Sequence, residues 1–463
     1  MFQKKVLTAS SIALINVCAI SNIKNFPLLA EYGLSVIFFL ILSSVFFFLP
    51  VAFVSAELAS AWPEKGVYTW VKIGLGPRLG FCAIWLQWIA NVIYYPTILS
   101  FIATTFAYLF DPDLSHNKIY VMVTILITFW MMTWINFFGM RVSGWISSIT
   151  AIFGTIIPIL LIILLGALWI LGGHPVQIEF RYATLLPDLT SINQLVLLSG
   201  VLFGLAGMEM SAVHAKEVLH PRRDYPHGIF LSTIFILVVS ALGALAIAAV
   251  LPQKQIHLAS GSMAAFQNLF ETFQMPWAIP LIAAVITFGA LGQLSTWIVG
   301  PSRGLHATIE QGDLPPIFHK VNQYNMPVHL FIAQAIIVTI LSLVFLFMPT
   351  VGSSYWILLA LTSLLYMLMY ILMFIAAITL RYTHPDTPRD YHIPFGHLGM
   401  WIACILGIIG SSFGVLISFF PPSQLNTGSL VILEVFLVGA TLIFCIVPFL
   451  IFAARKPHWR KKL

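Results

Sequence analysis

Glu209 is the residue whose position most demands a chemical explanation. It ends an apolar stretch that starts at Leu195, and Phe203, Gly204, Ala206, Gly207 and Met208 stand just before it. A carboxylate near the middle of a bilayer span costs several kcal/mol unless it faces protein or water. Glycines let the backbone leave helical geometry. Non-helical backbone at membrane depth survives only where it is buried in protein or lines a cavity. A Gly-rich break beside a single acid therefore predicts a broken helix with a binding site at the break. The competing reading is a glycine-packed helix contact, with Glu209 hydrogen-bonded to a neighbour.

Other residues have the type and spacing for a polar cavity. Ser21, Asn22, Lys24 and Asn25 interrupt the first apolar run after Ile20, and Pro27 disfavours a helical Phe26. Either that helix ends there or it is broken in the same manner as the stretch before Glu209. Gln87 and Asn91 are four apart and share a face with Tyr94 and Tyr95, so they either bridge helices or line a cavity. Trp297 stands among small and polar neighbours, as a core residue or as a gate over a cavity. Tyr366 and Tyr370 share one face, with the same two readings. Glu57, near a span end, is expected to pair with a basic or backbone donor. Cys18, Cys82, Cys404 and Cys445 sit singly in apolar runs and fit no metal or redox spacing, so they are read as core residues and no cofactor is expected. The segment Gly74–Gly80 has neither a preceding strand nor a Lys-Ser/Thr pair, so it is a membrane-edge turn and not a phosphate loop.

The elements that must position these residues are membrane helices. The chain has 463 residues, of which 60% are hydrophobic and 8% charged, with mean hydropathy +0.97. Soluble domains carry about 25% charged residues. Apolar runs recur throughout and predict an all-α polytopic membrane protein of about twelve spans: 6–23, 34–57, 81–108, 119–139, 146–172, 192–215, 228–251, 278–304, 327–348, 354–381, 399–420 and 428–454. The first run lacks a cleavage site and reads as a retained helix, not a signal peptide. With the N-terminus in the cytoplasm, only Lys24, Lys118, Arg181 and Lys254 of the 22 Lys and Arg fall on the outer side. That asymmetry supports both span count and orientation, with both termini cytoplasmic. It makes the net charge of +6 a topology signal, not a nucleic-acid footprint. The outer segment 253–276 has apolar residues at helical intervals and is expected to lie on the membrane surface. Spans one and six, the two interrupted ones, are five apart. An odd number of spans per repeat forces opposite topology, so residues 1–172 and 192–381 read as two inverted five-span repeats. Two extra helices, 399–454, and a short basic tail, 455–463, follow.

At "GMEMSAVHAKEVLHPRRDYP" and "WIVGPSRG" the chain resembles the amino acid–polyamine–organocation superfamily, and within it the bacterial glutamate/γ-aminobutyrate antiporters. The similarity extends through "GVYTWVKIGLGPRLGF", "RDYHIPFG" and "SFFPP". It implies the five-plus-five (LeuT-like) fold with spans one and six unwound at the substrate. Carried onto this chain, it places Ile20, Ser21 and Asn22 in the first unwound segment and Phe203 through Met208 in the second. Lys24, Asn91 and Tyr366 join them as substrate-binding residues. Glu209 matches a buried acid linked to pH, Trp297 an aromatic that caps bound substrate, and Phe203 a second gating aromatic. Two residues depart from the pattern: Lys24 is charged where an aromatic or apolar residue is expected, and Asn91 fits the arginine exchangers better. The glutamate branch also has a folded C-terminal plug, and the residues after span twelve are too few to make one.

The resulting expectation is an inner-membrane antiporter, not an enzyme, exchanging external glutamate for internal γ-aminobutyrate or a similar pair. A permease or proton-coupled symporter for another amino acid, such as glutamine, is the alternative. A channel or membrane-embedded enzyme is disfavoured, since no filter repeat is present and most histidines lie at loops or span ends. Its partners would be small amino acids and the lipid bilayer, with room for a homodimer and no role for nucleic acid.

Overall fold

The computed structural model describes residues 8–62, 66–139, 152–187, 192–211, 218–426 and 428–459. It is 79% helical, with no strand among the described residues. Ten helices there are long and apolar enough to cross a membrane. They are Gly33–Ala61, Pro77–Ala107, Lys118–Asn136, Phe153–Leu171 and Pro226–Val250, then Ala278–Ile309, Val328–Phe347, Val351–Thr383, Gly396–Ile417 and Leu430–Ala453. They correspond to expected spans two to five and seven to twelve. The two that are missing, one and six, are the interrupted ones, so ten continuous and two broken helices make up the twelve. Residues 140–151, between spans four and five, and 212–217, after the break in span six, lie outside the described residues.

Spans three and ten form the centre. Their most apolar windows are 89% and 83% buried, against 11% for span twelve. A helix apolar on every side belongs inside a bundle or in lipid. Span ten packs along spans three and eleven, span eight along span three, and the first half of span one along span seven. Span five meets span eight at Gly154 and Gly289. A Cβ on Gly154 would stand 2.0 Å from the Gly289 Cα, so any side chain there would force the helices apart. Cys82 and Cys404 are buried free thiols in this packing.

On the basic side, Glu57 is held by Arg381 at 2.8 Å and Arg389 at 3.5 Å, and accepts the Ile393 N–H at 2.8 Å. This is the structural pairing expected for it. It ties span two to the end of span ten and the loop that follows. Gly76, at φ +94°, makes the expected membrane-edge turn between the helix Val67–Leu75 and span three.

The fold corrects one expectation. The segment 253–276 does not lie on the membrane surface. Its helix Gly261–Thr272 buries Met263, Phe266 and Leu269 completely, and Ser262 Oγ donates to the Ile23 carbonyl at 2.9 Å. The apolar face covers the broken end of span one, whose freed carbonyl needs a donor there. Span eight runs unbroken past Trp297. It is helical from Ala278 to His306 with Pro301 inside it.

Candidate functional site

The first half of span one, Ala9–Ile20, stops at Ser21 and Asn22, both extended. The Asn22 side chain accepts the Lys24 N–H at 3.1 Å and so caps a single tight turn, Ile23–Asn25. The short helix Phe26–Ala30 follows, with Pro27 in its first turn, where its missing N–H costs nothing. The polar residues that broke the apolar pattern thus make the turn themselves, because Asn side chains compete with helical hydrogen bonds.

Span six runs to Gly204, leaves helical geometry at Leu205–Gly207, and resumes at Met208. Gly207 has φ +118°, a conformation that side-chain-bearing residues rarely adopt. A Cβ there would stand 3.8 Å from Ile20 and 3.9 Å from Trp297, so the break faces the end of span one and the tip of that indole. Both breaks therefore meet at one place.

Between them lies a cavity of about 40 Å³. Span one contributes Ile20, Asn22 and Asn25 to its wall, and span six contributes Phe203, Gly204 and Ala206. Asn91, Tyr94, Gln293, Trp297 and Tyr366 complete it. The volume suits a few waters, so the cavity is contracted relative to the size of an amino acid. An aromatic string borders it: the Phe203 ring is 5.0 Å from Tyr94 and 5.6 Å from Tyr366, and Tyr366 is 5.4 Å from Tyr370.

Glu209 sits just past the break, 3% exposed. Its carboxylate accepts from Tyr366 at 2.8 Å, Tyr370 at 2.5 Å and Gln87 Nε2 at 3.4 Å. Tyr370 also accepts the Gly207 N–H at 3.1 Å, so one hydroxyl links the unwound backbone to the acid. All three partners of the acid are uncharged. Hydroxyls can donate or accept, so this shell can serve a carboxylate or a carboxylic acid.

Of the residues singled out in the sequence, Ile20, Asn22, Asn25, Asn91, Tyr94, Phe203, Gly204, Ala206, Trp297 and Tyr366 border the cavity. Ser21, Lys24, Gly207 and Met208 do not. The Ser21 hydroxyl is buried without a hydrogen-bond partner among the described residues. Lys24 lies behind Tyr94, its ammonium 4.1 Å from the ring centroid. Gly207 contributes its N–H to Tyr370, and Met208 is buried. Asn91 donates to the Gln87 carbonyl of its own helix at 2.7 Å, and Tyr95 donates to the Trp297 carbonyl at 2.8 Å. Sequence reasoning placed Asn25 in the interruption of span one without assigning it to the substrate, and it passed over Gln293. The Gln293 amide accepts from Asn22 Nδ2 at 2.5 Å and joins span eight to the first break. Its spacing of four from Trp297 was the available signal, since that puts both on one helix face.

On the basic side a second polar cluster stands apart from the cavity. Buried Asp313 accepts from Tyr68 at 2.6 Å and pairs with Arg455 at 2.7 Å, beside a Lys72–Gln311 bond of 3.0 Å. The basic residue after span twelve thus binds protein here, which its sequence context did not indicate.

Comparison with known proteins gives the same picture. The family model for amino acid permeases matches residues 6–442. An uncharacterized transporter of Legionella pneumophila is 44% identical over 449 residues, 97% of each chain. A glutamate/gamma-aminobutyrate antiporter of Lactococcus lactis is 31% identical over 458 residues, 98% of this chain and 91% of the relative. A probable agmatine/putrescine antiporter of Lactococcus lactis is 26% identical over 375 residues, 79% of this chain and 77% of the relative. With two interrupted helices converging on one cavity and a family match over nearly its whole length, the chain belongs to the amino acid permease family of the amino acid–polyamine–organocation superfamily, as a multi-pass membrane transporter.

Proposed function

We propose that the protein is an antiporter that exchanges external glutamate for internal γ-aminobutyrate, or a similar pair, by alternating access. The observation that carries this reading is the meeting of both helix breaks at a cavity next to Glu209 and its hydroxyl partners. Freed backbone groups at the two breaks would bind the amino and carboxylate groups common to both substrates. Trp297 and Phe203 would close over them. The repeats 1–172 and 192–381 would supply the moving and fixed parts, with 399–454 added outside. Glu209 would be the proton-linked group. Protonated, it adds no negative charge beside an anionic substrate; ionised, it repels one, so transport rises as pH falls. The basic side would face the cytoplasm of a bacterial cell, with both termini there.

Counterflow in proteoliposomes tests the exchange. Vesicles loaded with γ-aminobutyrate should accumulate radiolabelled glutamate, and empty vesicles should not. Equal accumulation in empty vesicles under a pH gradient would replace exchange by proton symport.

A further inference from the structure

We infer that Lys24 is a specificity-determining residue: a buried ammonium behind the cavity wall that favours amino acids with a side-chain carboxylate and rejects cationic ones. This deepens the antiporter reading and rests on it.

Lys24 is 1% exposed, in the turn Ile23–Asn25 that joins the two halves of span one. Its Nζ lies 4.1 Å from the centroid of Tyr94, and Tyr94 lines the cavity. Lys24 itself does not line the cavity, but the ring it rests on does. A cation resting on a desolvated aromatic face recovers only part of what burying the ion costs. The shortfall calls for an anion. Among the described residues, no carboxylate forms an ion pair with Lys24, and the buried acids are engaged elsewhere. Glu57 is held by two arginines, Asp313 by Tyr68 and Arg455, and Glu209 by two tyrosines and Gln87. The other polar groups facing the cavity from span one are the neutral amides Asn22 and Asn25. A substrate carboxylate can therefore supply the charge that the protein does not.

The contracted cavity points the same way. An amino acid would need more room than it offers, and Tyr94, the ring on which the Lys24 ammonium rests, is part of the wall that would have to shift. In a low-dielectric site a single charge acts over several ångströms, attracting a carboxylate and repelling guanidinium or ammonium groups. The ligands implied are dicarboxylic amino acids. Glutamine, with the same shape and no side-chain charge, is the discriminating control.

The test is competition against radiolabelled glutamate, measured both as binding to the purified protein and as counterflow. The parent should prefer glutamate over glutamine by about ten-fold or more, and agmatine should not compete. Lys24→Met keeps the length and removes the charge; the glutamate/glutamine ratio should fall by about ten-fold. Lys24→Arg should hold the ratio within about three-fold. An unchanged ratio in Lys24→Met would overturn the inference. So would a parent that binds glutamine as tightly as glutamate, a result that needs no folded variant. Glutamate binding that follows Lys24 without any exchange would support this inference and remove the antiporter reading alone.

Discussion

Glu57 and Glu209 are both carboxylates with almost no exposure, 1% and 3%, yet their surroundings are opposites. Glu57 meets two guanidinium groups and a backbone N–H on the basic side. Two guanidinium groups complement its charge, and the pairing locks span two to span ten. Glu209 meets two phenols and an amide, at the edge of unwound backbone. Among the described residues no cation pairs with it, and each phenol can reverse its hydrogen bond. Burial alone therefore does not distinguish the two acids; the charge of their partners does.

Breaking the first acid should give the largest effect. Glu57→Ala leaves two buried arginines facing each other, and removing one partner from a buried pair costs about 3–5 kcal/mol. The expected outcome is a large fall in detergent thermal stability and in yield, read by a thermal-shift assay. A variant as stable as the parent would remove the contrast from the Glu57 side.

Glu209→Gln keeps the shape and mimics the protonated acid. We expect it to retain exchange at about pH 5.5, to exceed the parent at about pH 7.5, and to unfold near the parent's temperature. Parallel losses at every pH, together with lower stability, would make Glu209 a structural acid like Glu57. Trp297→Ala separates the site from the scaffold by another route. Exchange should fall about ten-fold, equivalent to about 1.4 kcal/mol on the transport barrier, while stability changes little because the indole is only half-buried against the cavity. A stability loss without a transport loss would return Trp297 to core packing.

The smallest effect belongs to a third acid of intermediate character. Glu31 lies between the span-one half-helix and span two, next to a side-chain amide, Gln253, at 3.3 Å. Burial pushes its carboxyl up to about 7, against a smaller opposing pull from the Gln253 hydrogen bond. The folded state then holds a proton that the unfolded chain releases near its ordinary value. Stability should fall as pH rises from the ordinary carboxylate range through about 7. Glu31→Gln should flatten that decline, seen as melting temperatures that differ less between acid and neutral buffer. An unchanged slope would assign the decline to other groups.

The sequence by itself determined the class, the number of spans and the two breaks. Each follows from local chemistry. Apolar runs must cross lipid, and Gly204, Gly207, Ser21, Asn22 and Asn25 cannot continue a helix as cheaply as their neighbours. Glu57 could be read as a paired acid because it stands at a span edge next to basic loops. What joins across the bundle was not legible. Gln293 reaching Asn22, Tyr370 bridging Gly207 to Glu209, and Arg455 seated on Asp313 connect residues 142 or more positions apart. Nothing in the local pattern of either partner specifies the other. The helix Gly261–Thr272 misled for the same reason: an amphipathic face looks alike whether lipid or protein covers it, and only the packing of span one beneath it decided. Lys24 is the sharpest case. Its charge was visible at once, but its place behind Tyr94, away from the cavity wall, depended on how spans one and three pack against each other.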